Sequence, residues 1–548
     1  MKNADLAILR CVHCSSGLRG QAQVYHEGAG LTEGPVDLGE LDKNAVVVEG
    51  TLECENCAAR YPIRCGLAAI TGLDANWISC LRELESRQLI RRDMVRPGKT
   101  AGLDQAYEKD VEKHYDLLEP MTATALEAMD ISGAPRVLDV GSGEGKTARL
   151  FAERGARVSV VDSEPADLYH MNIPAYSSTI QAESHRCPDG RILHKLDPDP
   201  MPGHIGRYLG NAGCLPFGDG VFDIVFCRSV IHHLDAPEQA LREMLRVLRV
   251  GGLLVLCSEP VRSILEKEGW MLSSNIDFFR GLNEHNPQFF QYLLPLWKRT
   301  RQLRIQYFFY GYANRLLRLL QRLGIPWYRA IHKGEWLQGA GLLKLVPISF
   351  TMQLQARRNK GKVKAARVKG PMLDEQFLGE LLNMYAPDRP LDRQLDEIDG
   401  DIEKLAAWRR ELQALEHGRR PPQSIDMTQT RPDGLVRGFL QPMEEDGVPC
   451  RPTLEVATFT LWRARGMDKL MLDFVPIQED GEWPVEILIN GRKLGEVRFS
   501  EAGVLHLDLP ENTGPVIDVT LRNNRLEALR AGEIEFHAGA GLRKVWLE

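Results

Sequence analysis

Apolar residues are spaced in two ways along this chain, and the change of spacing divides it. Near residue 140 a short apolar run, Val137, Leu138 and Val140 around Asp139, leads into glycines at alternate positions, Gly141, Gly143 and Gly145. This predicts a buried strand, a tight turn and a helix. A second strand, Arg157–Val161, ends in Asp162, where a carboxylate can take both ribose hydroxyls of a nucleoside. Leu215–Leu234 and Glu238–Pro260 add a strand, a helix and a further strand. From about Ile425 apolar and polar residues alternate in ATFTLWRA, KLMLDFV, PVEILIN and VIDVTLR, and Asn490-Gly491 makes a hairpin turn. That pattern predicts a β-sandwich.

These motifs, in this order, resemble class I S-adenosylmethionine-dependent methyltransferases from about Gln105 to Pro260. The resemblance implies an α/β, Rossmann-like core with a seven-stranded sheet and S-adenosylmethionine as cofactor. It implies that Gly141, Gly143 and Gly145 admit the cofactor's amino-acid end, that Asp139 steers its amino group and that Asp162 binds its ribose. Asn211, followed by Ala212, stands where an acidic residue usually accepts from the adenine amine. Ser142, Ser163 and Arg228 complete the implied cofactor set. A hydroxyl acceptor needs a base. His232 and His233 are candidates just past the fourth strand, and Glu284 with His285 is the rival pair; Glu259 is a further candidate. Packing remains the alternative reading for either of the two adjacent histidines. Tyr107, His114 and Tyr115 lie where aromatics cover the cofactor or simply pack.

Cys11-Val-His-Cys14 and Cys54-Glu-Asn-Cys57 supply the four thiolates that a closed tetrahedral zinc site uses. The text around the second pair, Leu52–Ile70, resembles the small Trm112-like zinc domain, which implies structural zinc in a zinc-ribbon-like fold. Cys65 reads as a packed thiol and His13 as a surface residue rather than a ligand. The final section resembles the jelly-roll-like module attached to bacterial polysaccharide-assembly enzymes. The match runs through Gly438–Glu445, Trp462, the Ile-Asn-Gly-Arg hairpin and Leu509-Pro510, but Pro452 replaces an expected tryptophan. Gly281–Leu296 resembles an Asn-Glu-His segment of glycan-assembly methyltransferases.

The expected domains are a zinc module (1–75), a helical connector (76–103), a methyltransferase domain (104–360) with a helical insertion (261–340), a helical linker (361–424) and an all-β sandwich (425–548). The stretch 174–206 reads as a lid or surface loop, and Leu342–Arg357 as the last strand of the methyltransferase sheet.

Charge changes this picture in one place. The chain of 548 residues carries a net −7, yet Trp297–Gly370 holds seventeen Lys and Arg against one acid, Glu335. Aromatics interleave the cations, and Asn314–Gly324 has one apolar and one cationic face. The pattern fits an anionic membrane surface, RNA phosphates, an acidic partner, or a helix packed on its own domain with solvated arginines. No apolar run is long enough to span a bilayer and no signal peptide is evident, so a cytoplasmic protein is expected, with a place at the inner membrane face as the reading the basic segment leaves open.

The leading expectation is O-methylation of a sugar hydroxyl on a glycan or lipid-linked glycan. A protein partner on the zinc or sandwich module is compatible with it. Nucleic acid is not the expected partner, because the rest of the chain is acidic. The alternatives are an RNA methyltransferase, a small-molecule methyltransferase, and a cofactor-binding scaffold of a glycan-assembly complex.

Overall fold

The computed structural model describes residues 1–27, 30–72, 77, 81, 84–85, 133–143, 145–170, 203–234, 236–261, 289–308, 350–368, 372–385, 395–415, 421–429, 435–439, 443–445, 448–477, 481–531 and 534–548, with four short strands between 173 and 197. The chain forms two compact units. The first takes Met1–Trp77, Leu117–Glu266 and His285–Leu391; the second takes Ile78–Asp116, Lys267–Glu284 and Asp392–Glu548.

The first unit is built on one twelve-stranded sheet. Its N-terminal strands are β1 (Leu18–Glu27), β2 (Gly30–Asp37), β3 (Val46–Cys54), β4 (Arg60–Arg64) and β5 (Leu67–Ala69). Then come β6 (Arg136–Val140), helix α1 (Lys146–Glu153), β7 (Arg157–Asp162) and α2 (Pro165–His170). The short strands β8 (Ile173–Pro174), β9 (His185–Arg186), β10 (Ile192–His194) and β11 (Leu196–Asp197) precede β12 (His204–Leu209). The unit continues with β13 (Phe222–Arg228), α3 (Pro237–Val247), β14 (Leu248–Val261), α4 (Phe289–Leu296), β15 (Thr300–Phe308), β16 (Phe350–Arg358) and α5 (Glu375–Met384).

The strand order is β15-β16-β14-β13-β6-β7-β12-β5-β4-β3-β1-β2. The central strands β14, β13, β6, β7 and β12 run parallel. Parallel strands are covered on both faces. That is why β6, β7 and β13 are nearly continuous apolar runs, with Val137, Leu138, Val158, Val160, Val225 and Phe226 buried. Each such side chain contributes roughly 1.5–3 kcal/mol. After β12 the chain returns to the far side of β6 to form β13. The crevice beyond the carboxyl ends of β6 and β13 is therefore a topological switch point, where open α/β sheets bind ligands.

Two features differ from expectation. The N-terminal strands do not form a sheet of their own: β5 pairs in parallel with β12, Tyr208 opposite Ala68 and Leu209 opposite Ala69, so they prolong the central sheet. Strand β5 is entirely buried and apolar, and a fully covered strand needs a neighbour at both edges. Residues 300–308, inside the stretch read as a helical insertion, form an edge strand on β16. Leu303, Ile305 and Tyr307 alternate with Gln302, Arg304 and Gln306, a period of two that the surrounding cationic stretch obscured.

The second unit opens with α6 (Leu395–Leu415) and continues as β17 (Ser424–Asp426), β18 (Leu435–Phe439), β19 (Met443–Glu445), β20 (Val448–Trp462), β21 (Lys469–Val475) and β22 (Trp483–Ile489). It ends with β23 (Arg492–Phe499), β24 (Gly503–Asp508), β25 (Val516–Asn523), β26 (Glu527–Ala531), β27 (Ile534–Ala538) and β28 (Gly541–Leu547). The long β20 pairs β28 through Arg451 and Pro452, then β25 from Val456 onward. One strand thus serves two layers, and Phe459, Leu472, Trp483, Ile487, Val519 and Val545 fill the space between them. The hairpin at Asn490-Gly491 forms as the sequence predicts, with φ of 52° and 80°. Among the described residues no helix is long and apolar enough to cross a membrane.

Candidate active site and metal centre

The turn after β6 is shaped by its glycines. Gly141, Gly143 and Gly145 have φ of 69°, 51° and 74°, values that side chains other than glycine rarely tolerate. A Cβ on Gly141 would lie 2.1 Å from Val230, so the turn closes against the loop after β13. Gly145 caps α1 without a side-chain hydrogen bond, leaving the first-turn amides of that helix uncapped by its own residues. Asp162, at the end of β7, accepts from the Gly143 N–H at 2.8 Å and from the Glu164 N–H at 3.0 Å. The carboxylate that was read as a ribose ligand therefore also fixes the glycine turn.

Asp139 is buried, and its Oδ2 has no hydrogen-bond partner among the described residues. Burial pushes its pKa up to about 7; Arg228 opposes the rise, Asp162 adds to it, and a hydrogen bond from the Ala148 backbone opposes it again. Ser142 Oγ is likewise buried and unpartnered. Native interiors satisfy nearly all such groups. A carboxylate with an unsatisfied oxygen beside a glycine turn can accept a hydrogen bond from a cationic, polar ligand. Asn211, following β12, is buried, and its Oδ1 accepts from the Gly213 N–H at 2.7 Å.

Across the crevice, β13 leads into the single turn Ile231–His233. His232 is buried and its Nδ1 lies 3.1 Å from Glu259 Oε2. Glu259 is fully buried, and its Oε1 accepts from the backbone of Val230 at 2.9 Å and Ile231 at 3.2 Å. It reaches this position through an irregularity in β14: the register with β16 shifts between Leu256 and Glu259, and Ser258 has φ 55°. Such a bulge re-aims the side chains that follow it. His233 stacks obliquely on His232, ring centroids 4.1 Å apart, and is half-buried. Glu259 thus orients the His232 ring through Nδ1. Ser163 and Ala212 sit beside Asp162 and Asn211 along the same rim. Glu284, His285, Tyr107, His114, Tyr115, most of the connector, the side chains of 174–202 and the segment Asn314–Gly324 lie outside the described residues.

The four cysteines converge. The sulfurs of Cys11, Cys14, Cys54 and Cys57 all lie within 4.8 Å of one another, with Cys11–Cys57 at 3.5 Å and Cys14–Cys54 at 3.3 Å. Zinc–sulfur bonds of about 2.3 Å place tetrahedral thiolates about 3.8 Å apart, so this donor set fits zinc with no open position. The two knuckles are built alike. Cys11 N–H donates to Ser16 O and Cys54 N–H to Ala59 O, and Ser15 and Ala58 both adopt positive φ, 65° and 56°. The Asn56 and Cys57 amides approach Cys54 Sγ at 3.4 and 3.5 Å. Burial raises the Cys14 thiol, but hydrogen bonds from Ser16, Cys54 and Asn56 outweigh it and bring its pKa down to about 6. His13 stands apart from the sulfurs and is half-buried against Gly72 and Val368 rather than at the surface. Cys65 is a buried thiol, as expected. Next to the first knuckle, Arg10 N–H donates to Pro216 O and Gly218 N–H to Ile8 O, so this knuckle is laced to the chain that follows Asn211.

A family profile described as a methyltransferase domain matches residues 138–256. An uncharacterised methyltransferase of Mycobacterium leprae is 35% identical over 129 residues, 23% of this chain and 38% of that protein. A demethylmenaquinone methyltransferase of Thermobifida fusca is 28% identical over 191 residues, 33% of this chain and 72% of that protein. A solved complex between the Haloferax volcanii Trm112 methyltransferase activator and a putative methyltransferase aligns with 46% of this chain and 96% of that one, at 15% identity and a TM-score of 0.30. The chain spans under two-fifths of the length of the Mycobacterium relative. The matched residues run from β6 through α3 into β14, so the part of the chain that builds the glycine turn, Asp162 and the His232 turn is the part similar to methyltransferase domains.

Proposed function

We propose that this protein is an S-adenosylmethionine-dependent methyltransferase of the class I, seven-stranded type, acting on a hydroxyl of a glycan. The observation that carries the cofactor assignment is the unpartnered Oδ2 of buried Asp139 beside the three positive-φ glycines. When bound, S-adenosylmethionine supplies an electrophilic methyl group on a sulfonium. Asp139 holds the ammonium of its amino-acid end, Asp162 the ribose hydroxyls, and the Asn211 side chain and Ala212 border the adenine. Arg228 limits how far Asp139 is pushed toward its neutral form.

His232 is the base. An alcohol attacks only as its proton is removed. Glu259 holds Nδ1 at 3.1 Å, which leaves Nε2 to take the proton and stabilises the resulting imidazolium. The glycan assignment is supported by the character of the C-terminal sandwich and of Gly281–Leu296 in the sequence. Cys11, Cys14, Cys54 and Cys57 would hold one structural zinc ion.

The test is methyl transfer from radiolabelled S-adenosylmethionine to a lysate, partitioned into glycan, RNA, protein and small-molecule fractions. Label in the glycan fraction, absent with Asp162→Ala, is expected. His232→Ala should slow transfer by about 10²–10⁴ while leaving cofactor affinity intact. Label confined to RNA would replace the glycan assignment, and full activity of His232→Ala would remove the base.

A further inference from the structure

We infer that the open edge of the first unit, along β15 and the end of β16, is a docking surface for an anionic lipid membrane. The inference goes beyond the proposed reaction and does not depend on it.

Three large apolar side chains stand out to solvent near one end of that edge: Trp297 is 72% exposed, Leu294 67% and Val250 56%. Leu303, further along β15, is 39% exposed. Exposed cations are interleaved with them. Lys298, Arg301 and Arg304 follow Trp297, and Arg357, Lys360 and Lys362 end β16 and continue past it. None of these six has an acidic partner among the described residues. The backbone holds the two groups side by side: Arg301 is the register partner of Arg357, the Asn359 N–H donates to Arg299 O, and the Arg299 guanidinium donates to Lys362 O at 3.0 Å. Arg357 donates to Gly251 O, which brings the Val250 turn into the same patch.

Cations on an edge strand also serve to prevent sheet-to-sheet pairing. That role explains Arg301 and Arg304. It does not explain Lys360 and Lys362, which lie beyond the strand, nor an exposed tryptophan and leucine that would promote the association a guard prevents. A bilayer surface explains both. Tryptophan settles at the headgroup level, and each Lys or Arg near an anionic surface contributes about 1 kcal/mol. The patch gathers where β14 and β15 begin, whereas the glycine turn, Asp162 and Glu259 sit where the parallel strands end. Docking would therefore anchor the enzyme and leave the crevice open.

Full-length protein is co-sedimented with phosphatidylcholine vesicles with and without phosphatidylglycerol, and titrated with a structured RNA. Binding to the anionic vesicles alone is expected, weakening as salt rises. Lys362→Gln should weaken partitioning about fivefold and Trp297→Ala about tenfold, while both variants keep wild-type melting. No binding to anionic vesicles at low salt, wild-type binding by both variants, or tighter binding to RNA than to vesicles would overturn the inference. None of these results depends on whether the protein methylates anything.

Discussion

Asp139 and Asp518 are both buried carboxylates on interior strands, β6 and β25, and their surroundings differ completely. Asp518 is saturated: Oδ2 accepts from Arg409 at 2.7 Å and Arg410 at 2.8 Å, and Oδ1 accepts from Thr460 at 2.7 Å. Arg409 in turn holds Glu85 at 2.7 Å. Burial raises Asp518, but Arg409, Arg410 and Thr460 together hold its pKa below the usual value. Asp139 has an oxygen left over, and its pKa rises to about 7. One carboxylate is complete and braces α6 against its sandwich. The other keeps one oxygen with no hydrogen-bond partner among the described residues. Burial alone therefore says little about function; whether a buried group is satisfied says a great deal.

Substitution should separate the two. Asp518→Ala leaves Arg409 and Arg410 short of a partner in the interior and should destabilise the second unit by about 3–5 kcal/mol in denaturant unfolding. Cofactor affinity should not change. Equal stability of the variant would show that Glu85 alone satisfies Arg409, and the brace would lose its meaning.

Asp139→Asn should act the other way. Loss of a charged hydrogen bond to the cofactor ammonium should weaken binding about ten- to hundredfold, from about 1.5–3 kcal/mol, with unfolding unaffected or favourably shifted. The pH dependence sharpens the contrast. Cofactor affinity should fall as pH drops below about 7, because protonation removes the charge that faces the ammonium. Stability without ligand runs oppositely. A carboxyl with a raised pKa stabilises the fold at low pH, and that contribution is lost as pH rises through about 7. For Asp518 the depressed pKa gives stability that is present above the unfolded carboxylate range and is lost as pH falls through the folded value.

The cysteine knuckles are a third case, in which backbone strain accompanies the four converging thiols. Ser15 and Ala58 hold left-handed backbone at a cost of about 1–2 kcal/mol each. Ser15→Gly and Ala58→Gly should each raise the thermal midpoint slightly, by up to about 1 kcal/mol of stability, with one metal ion per chain retained. A lower midpoint would mean that these side chains make contacts outweighing the strain.

The legible parts of this molecule were those written locally. The glycine turn, Asp139 and the two cysteine pairs each occupy a few consecutive positions, so spacing alone exposes them. Asp162 stands apart but ends a recognisable strand. The His232–Glu259 pair was only half legible. Both residues were candidates, but their contact spans 27 residues and depends on a bulge at Ser258 that no residue pattern announces. The Glu85–Arg409–Asp518 brace was not legible, since its partners are 324 and 109 residues apart. Nor was the pairing of β5 with β12, because a three-residue apolar strand reads the same whether it ends a small domain or continues a large sheet. Strand β15 was written in a period of two, yet its arginines drew the reading toward a charged helix.

The most direct measurement is a calorimetric titration of the full-length protein with S-adenosylhomocysteine at neutral pH, beside Asp139→Asn. One site per chain is expected in the wild type and binding at least about tenfold weaker in the variant, with the unfolding midpoint preserved. Absence of binding in the wild type, or equal affinity in the two proteins, would contradict the assignment of Asp139 and its glycine turn as the cofactor seat.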